Sequence, residues 1–149
     1  MSASLIDSNS FPATAPADHS AAARWFGRIA TTIVLLFAVM DFATKLALAK
    51  PSVDGTIQLG YQLHHVQLIG ALALVCTILY VIPRTAVLGA VLWTAYLGGA
   101  VASNVRIDAP LFTHTLFPVY YAALLWAALY VRDPRVRAML APRPRPRAG

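Results

Sequence analysis

The chain has 149 residues, of which 58% are apolar and only 12% are charged. Soluble domains carry about a quarter charged residues, so this composition cannot cover a water-soluble surface. The 12 Lys and Arg outnumber the 6 acids, all of them Asp, and the formal net charge is +6. Because the basic residues lie at the ends of apolar runs, they predict contact with a lipid bilayer and not with nucleic acid. The single cysteine, Cys76, excludes an intramolecular disulfide.

The two ends of the chain differ in composition from its centre. Residues 1–22 are rich in Ser, Ala, Pro and Asp and lack hydrophobic periodicity, which predicts a disordered tail. Residues 23–140 form the predicted membrane domain, and residues 141–149 form a basic Pro/Arg tail that is expected to be extended and solvated.

Four apolar runs divide the membrane domain, at residues 25–48, 66–82, 86–105 and 111–131. Each has roughly 17 to 25 residues, which as a helix is enough to cross a hydrocarbon core of about 30 Å. The runs do not alternate between apolar and polar residues, so a β-barrel is excluded. The predicted fold is all-α, an integral membrane up-down bundle of four transmembrane helices. Residues 83–85 predict a tight turn, and residues 50–62 predict a long loop at the membrane interface.

The distribution of positive charge predicts the orientation of this bundle. Nine basic residues fall on the side of the termini and three on the other side, which places both termini in the cytoplasm. The nine are Arg24, Arg28, Arg84, Arg132, Arg135, Arg137, Arg143, Arg145 and Arg147, and the three are Lys45, Lys50 and Arg106. One alternative is that the first run is a signal peptide cleaved after Ala47-Leu48-Ala49, although Asp41 and Lys45 are unusual in such a segment.

Polar side chains from all four helices converge at the outer end of the predicted bundle. Asp41 and Lys45 are four residues apart and can form an ion pair that lowers the cost of carrying charge in the membrane. With His114, they are the candidate catalytic residues. The candidate ligand-binding residues are His64, His65, Gln67, Tyr96, Asn104 and Arg106. The alternative is that the polar helix ends only anchor the interface and that the ion pair only locks the first helix.

Two further features concern packing and bending. Small residues recur at four-residue spacing from Gly98-Gly99 to Ala102 and Ser103, which predicts a close helix contact. Pro118 follows His114 by four residues and predicts a bend in the fourth helix. The sequence has no motif for haem, flavin or a metal, and no phosphate-binding loop.

Residues 68–140 resemble the DoxX-like family of small bacterial membrane proteins. The resemblance is carried by residues 76–90, by Tyr96-Leu97-Gly98-Gly99 and its continuation to 102, by residues 110–120, and by Arg132-Asp133-Pro134-Arg135. It extends more weakly to Asp41-Phe42-Ala43-Thr44-Lys45-Leu46 in the first helix. Asn104 departs from the family pattern, which usually has a histidine there. The resemblance implies a four-helix bundle in the bacterial inner membrane.

The family name comes from similarity to a subunit of a thiosulfate:quinone oxidoreductase, so the resemblance implies a redox-associated role in which a quinone or a similar lipophilic ring binds at the outer mouth. Two alternatives stay open. One is a noncatalytic accessory or binding subunit of a membrane complex with a protein partner, and the other is a cofactor-free enzyme that moves a proton on a lipophilic substrate.

Overall fold

The structure, a computed structural model, describes residues 21–140. Its elements are α1 (Ala21–Leu46), α2 (Lys50–Gln58), α3 (Leu63–Val81), α4 (Ala86–Arg106), a π-helical turn (Leu111–Thr115), α5 (Phe117–Arg132) and α6 (Pro134–Leu140). No strand occurs within this range. The two predicted tails lie outside the described residues, except that Ala21 and Ala22 begin α1.

Among the described residues, four segments are long and apolar enough to cross a membrane, and all regular structure in this range is helical, which confirms the predicted all-α fold. They are Trp25–Leu46, Leu63–Val81, Ala86–Arg106 and Leu111–Arg132, with mean hydropathies of 1.8, 1.7, 1.6 and 1.3. In an apolar 18-residue stretch of each span, only 17% of the residues of the first span and 33% of those of each other span are buried inside the protein. Large apolar side chains such as Leu36 therefore project outward, and a hydrocarbon solvent accounts for their exposure. The chain is a multi-pass membrane protein.

The four spanning segments form a ring. α1 packs against α3 and α5, and α4 packs against the same two helices, so that α1 lies diagonally opposite α4 and α3 lies diagonally opposite α5. The largest fully buried side chains are Trp93, Tyr80, Leu125, Leu129, Val34 and Val66. We call the end of the bundle that carries α2 the α2 end, and the opposite end, near Trp25 and Arg132, the terminal end.

Glycines allow close approaches between helices in this bundle. The glycines concerned are Gly70 and Gly89, and not the Gly98-Gly99 pair that the sequence indicates. A Cβ on Gly70 would lie 2.8 Å from Lys45 Cβ, and a Cβ on Gly89 would overlap the α3 backbone at Tyr80. A Cβ on Gly98 or Gly99 would have no neighbour within 4 Å. The predicted close contact at Gly98-Gly99 is therefore wrong, because α4 turns this pair away from the facing helix backbones.

Tyrosine hydroxyls and one arginine cross-link the interior through main-chain oxygens. Tyr80 Oη donates to Leu125 O at 3.0 Å, across the α3–α5 diagonal, and Tyr121 Oη donates to Val34 O at 2.8 Å. Arg132 Nη2 donates to Tyr80 O at 2.8 Å, and its guanidinium lies 4.7 Å from the centre of the Tyr80 ring. Each bond pairs a main-chain oxygen of one helix with a side chain of another, and such interhelical bonds contribute about 0.6 kcal/mol on average.

The segment predicted as a long loop contains a helix. α2 begins with a proline in its first turn, where the missing N–H costs nothing, and Lys50 Nζ donates to Asp54 Oδ2 at 2.8 Å one turn later. Positive φ angles at Leu48 (51°) and Gly60 (83°) reverse the chain on either side of α2. The turn between α3 and α4 at residues 82–85 is as tight as predicted.

The fourth span is interrupted near His114, as Pro118 predicts. Thr115 N donates to Pro110 O at 3.2 Å and Leu116 N donates to Leu111 O at 2.8 Å, so both bonds reach back five residues. α5 then starts at Phe117, which places Pro118 in the first turn, where a proline is tolerated. The wider π-helical turn redirects the chain before the regular helix begins.

Candidate functional site

A cavity of about 1050 Å³ lies at the α2 end of the bundle. Its walls come from all four spanning segments, including the π-helical turn and the start of α5, with α2 and the connection at residues 107–110 over the end. Ligand pockets in proteins span about 300 to 1,000 Å³, so this cavity can hold a molecule with a ring system and substituents.

Asp41 is the centre of a polar chain in the cavity wall. Its Oδ1 accepts a hydrogen bond from Lys45 Nζ, and its Oδ2 accepts one from Tyr96 Oη at 2.8 Å. The side chains of Asp41 and Lys45 are only 17% and 14% exposed. Because Tyr96 belongs to α4, these hydrogen bonds join α1 to α4, which lies diagonally opposite it in the ring of helices. The structure thus brings together three of the predicted site residues.

The position of Asp41 and Lys45 follows from the periodicity of α1. Val34 and Ala38 are each 1% exposed in the core, and Asp41 and Lys45 continue the same stripe toward the α2 end at the spacing of a helical face. The face that is apolar in the middle of the bundle thus becomes ionic near its end, and the ion pair points into the bundle.

Aromatic rings form the deeper part of the site. We call Phe37, Trp93, Tyr96, Phe117 and Tyr121 the aromatic cluster. Phe37 lies 5.2 Å from Phe117 and 4.7 Å from Tyr121, and Trp93 lies 5.1 Å from Tyr96 and 5.6 Å from Tyr121, all measured between ring centres. Phe37, Tyr96 and Phe117 line the cavity. Offset and tilted contacts of this kind suit a flat ring, so the cavity presents aromatic faces beside a carboxylate and an amine.

His114 and Asn104 also line the cavity, near its rim. His114 is exposed, and its Nδ1 lies 2.8 Å from Thr113 Oγ1, whereas its Nε2 has no hydrogen-bond partner among residues 21–140. Asn104 Nδ2 donates to Ala100 O at 2.9 Å, one turn back on its own helix. Of the two, His114 is therefore the group with a free ring nitrogen for a ligand.

The remaining four predicted residues are outside the lining of the cavity. His65 Nδ1 accepts from Gln62 N at 3.3 Å at the start of α3, and its ring packs on that of His64 at 3.9 Å. Gln67 Nε2 donates to Leu46 O at 3.4 Å. Arg106 Nη2 donates to Leu59 O, just after α2. His65 and Gln67 thus bond to the main chain at helix ends, and Arg106 bonds to the main chain just after α2. These contacts agree with the alternative that polar residues at helix ends are structural.

Several residues of the site are not indicated by the sequence pattern. Tyr61 Oη lies 2.7 Å from Ser103 Oγ and fastens the segment after α2 to α4, and both residues line the cavity. Phe37 lies one turn before Asp41, and this spacing is the only local signal for its role. Gly99 lines the cavity without facing another helix, so its missing side chain leaves open space. Within the described part of the chain, no cluster of three His, Cys, Asp or Glu side chains could hold a metal ion.

Comparison with known proteins identifies the family of the chain. Residues 29–128, which are 100 of the 149 residues, match the profile of the DoxX-like family. A search of curated proteins and a search of solved structures gave no match. The matched range includes all four spanning segments in whole or in large part, together with Asp41, Lys45, Tyr96 and His114. The chain therefore belongs to the DoxX-like family.

Proposed function

We propose that this protein is a redox-associated membrane component that binds a small lipophilic molecule with a flat, hydrogen-bonding head, such as a quinone, in the cavity at the α2 end. The observation that carries this proposal is the Lys45–Asp41–Tyr96 chain in the wall of a largely apolar, aromatic cavity. Ionisable groups inside a spanning helix cost about 2.5 to 3.5 kcal/mol each on insertion scales. A functional role explains why α1 carries two of them.

The residues of the cavity fit the needs of a quinone head. Lys45 or His114 donates a hydrogen bond to a ring oxygen, the aromatic cluster packs against the ring, and Asp41 exchanges a proton. Reduction of a quinone takes up two electrons and two protons. In this proposal the cavity residues handle the protons, and an associated redox enzyme in the membrane supplies the electrons.

A second candidate function is that of a noncatalytic accessory or binding subunit. It is favoured by the completeness of the polar chain, because both oxygens of Asp41 have partners within the protein itself. In that case the hydrogen bonds among Lys45, Asp41 and Tyr96 only fix α1 against α4. A bound lipophile or protein partner then needs no proton from these residues. A cofactor-free enzyme that transfers a proton on a lipophilic substrate would use the same Asp41 and His114 as acid and base.

Binding experiments separate these functions. The protein, purified in mild detergent, is analysed by absorption spectroscopy and mass spectrometry for any co-purifying molecule. It is then titrated with a short-chain benzoquinone by calorimetry. Saturable binding that falls about tenfold or more in Asp41→Asn and in His114→Gln supports the proposal. The matched control is Arg84→Gln at the terminal end, which should bind like the parent. A defined protein partner without any quinone binding would support the accessory function instead.

Redox activity of the assembled complex is the more demanding test. If Asp41 and His114 act in proton transfer, Asp41→Asn and His114→Gln should lower quinone-dependent turnover by about 10² or more, because each keeps its size but loses proton exchange near neutral pH. Full activity of both variants, together with loss of activity in Arg84→Gln, would place the working site at the terminal end and contradict the proposal.

The proposed setting is the bacterial inner membrane with both termini in the cytoplasm. The support is the charge distribution, since the basic residues near the terminal end outnumber those near the α2 end. The cavity then faces the outer side of the membrane, within reach of extracytoplasmic partners as well as of membrane-dissolved ligands.

A further inference from the structure

The cavity is partly covered by α2 at the end of the bundle, and it is bounded on one side by a gap between α1 and the π-helical turn. On the water side, α2 lies across the end of the bundle and contributes Pro51, Ser52 and Gly55 to the cavity lining. Two contacts fasten it there: Arg106 donates to Leu59 O at the end of α2, and Tyr61 is bonded to Ser103 on α4. These contacts hold α2 over this end of the cavity.

The ring of helices is incomplete between α1 and the π-helical turn. The π-helical turn packs against α4 and the start of α5, but it has at most a marginal contact with α1. Below this level the ring is closed, because Phe37 of α1 meets Phe117 of α5 at 5.2 Å. The bend before Pro118 thus leaves a gap in the lateral wall just above the Phe37–Phe117 contact.

Side chains that line the cavity at this gap are also partly exposed. Met40 is 55% exposed and Phe117 is 43% exposed, and both line the cavity together with Thr44, Thr113 and His114. Met40 lies six residues before the end of α1, which is about 9 Å along the helix axis. If the hydrocarbon layer reaches the end of this span, the gap opens among lipid chains below the headgroups.

From this geometry we infer that the ligand of the cavity is an amphiphile whose polar head lies at Asp41 and His114 and whose hydrocarbon tail leaves the protein between α1 and the π-helical turn into the bilayer. The inference rests on the proposed binding function and specifies its ligand class. A hydrocarbon tail suits this path, because the apolar side chains of Met40 and Phe117 border the gap and lipid chains lie outside it. The ligand then enters and leaves sideways from the membrane, without movement of α2.

The test compares two probes on the full chain in mild detergent: a benzoquinone with a long alkyl chain and the same benzoquinone without the chain. Met40→Trp narrows the gap and is expected to fold, because the side chain is already more than half exposed. It should weaken calorimetric binding of the long-chain probe about tenfold and change that of the chainless probe by less than about twofold. Leu36→Trp is the matched control, since Leu36 is 71% exposed on the same helix and does not line the cavity.

Each other outcome overturns the inference in a distinct way. If both probes bind with a dependence on Asp41 and Met40→Trp affects neither, the lateral path is wrong while the proposed function stands. If Gly99→Leu weakens only the long-chain probe and Met40→Trp does not, the tail leaves on the side of α3 and α4, where Leu72 and Gly99 line the cavity. If neither probe binds saturably, the proposed function fails and the tail path falls with it.

Discussion

Removal of the Lys45 ammonium tests how much of the stability of the bundle depends on the ion pair in α1. In Lys45→Met, Asp41 keeps only the bond from Tyr96 Oη, at a site where its side chain is 17% exposed. Loss of one partner from a fully buried pair costs about 3 to 5 kcal/mol. Because this pair is not fully buried and the tyrosine remains, we expect a loss of about 2 kcal/mol in the free energy of unfolding.

The opposite single change should cost less, which makes the prediction asymmetric. In Asp41→Asn, Lys45 loses its partner, but it lies one residue before the end of α1. Its long side chain can carry the ammonium toward the interface, so we expect a loss of about 1 kcal/mol. The double variant leaves no unpaired charge. Its loss in the free energy of unfolding should therefore be smaller than the sum of the two single losses, by about 1 kcal/mol or more.

A second Lys–Asp pair in the same chain provides the control. Lys50 and Asp54 have the same four-residue spacing on α2, but their side chains are 86% and 51% exposed. Exposed pairs of this kind contribute about 0.3 to 0.5 kcal/mol, so Lys50→Met should lie within that range. The comparison isolates burial as the cause of any larger effect at Lys45.

Equilibrium unfolding in mixed micelles, with an increasing fraction of a denaturing detergent and circular dichroism as the signal, measures these differences. The reasoning is refuted if Lys45→Met is no more destabilising than Lys50→Met. It is also refuted if the double variant equals the sum of the single variants, because the two residues would then be uncoupled and each would face water separately.

Two further predictions concern topology and packing. A reporter that is active only outside the cytoplasm should be silent when fused after Gly149 or after Arg84 and active near Asp54, whereas activity at the carboxyl terminus would contradict the four-span orientation. Gly89→Ala should destabilise the bundle by about 1 to 3 kcal/mol, because its Cβ would overlap the α3 backbone, while Gly98→Ala, which meets open space, should change stability by less than about 0.5 kcal/mol in the same assay.

Much of the fold can be predicted from the sequence for a physical reason. A segment in hydrocarbon must satisfy its own backbone hydrogen bonds, so long apolar runs predict helices without any knowledge of their neighbours. The four predicted runs agree with the spanning segments to within about three residues at each end. The Asp41–Lys45 pair is likewise local, because four-residue spacing on one helix brings the two side chains together.

The short elements between the spans were less accessible to sequence reasoning. Gly55 and the early proline in residues 50–62 predict a loop, yet α2 forms there because the proline occupies the first turn and Thr56 is buried. The helix is stabilised by its position over the cavity, where it contacts α1 and α3. Local propensity carries no information about such contacts.

The sequence by itself determined the number of spanning helices, their approximate ends and the Asp41–Lys45 ion pair, and it placed most of the polar groups at one end of the bundle. Only the tertiary structure decided which side of each helix faces inward. Lipid is as apolar as the core, so hydrophobic periodicity is weak in spans such as α3, which is apolar on every side. The rotation of α4 brings Tyr96 to Asp41 and turns Gly98-Gly99 away from its neighbours. That rotation depends on the fit of many side chains at once, and it decides what the cavity can bind.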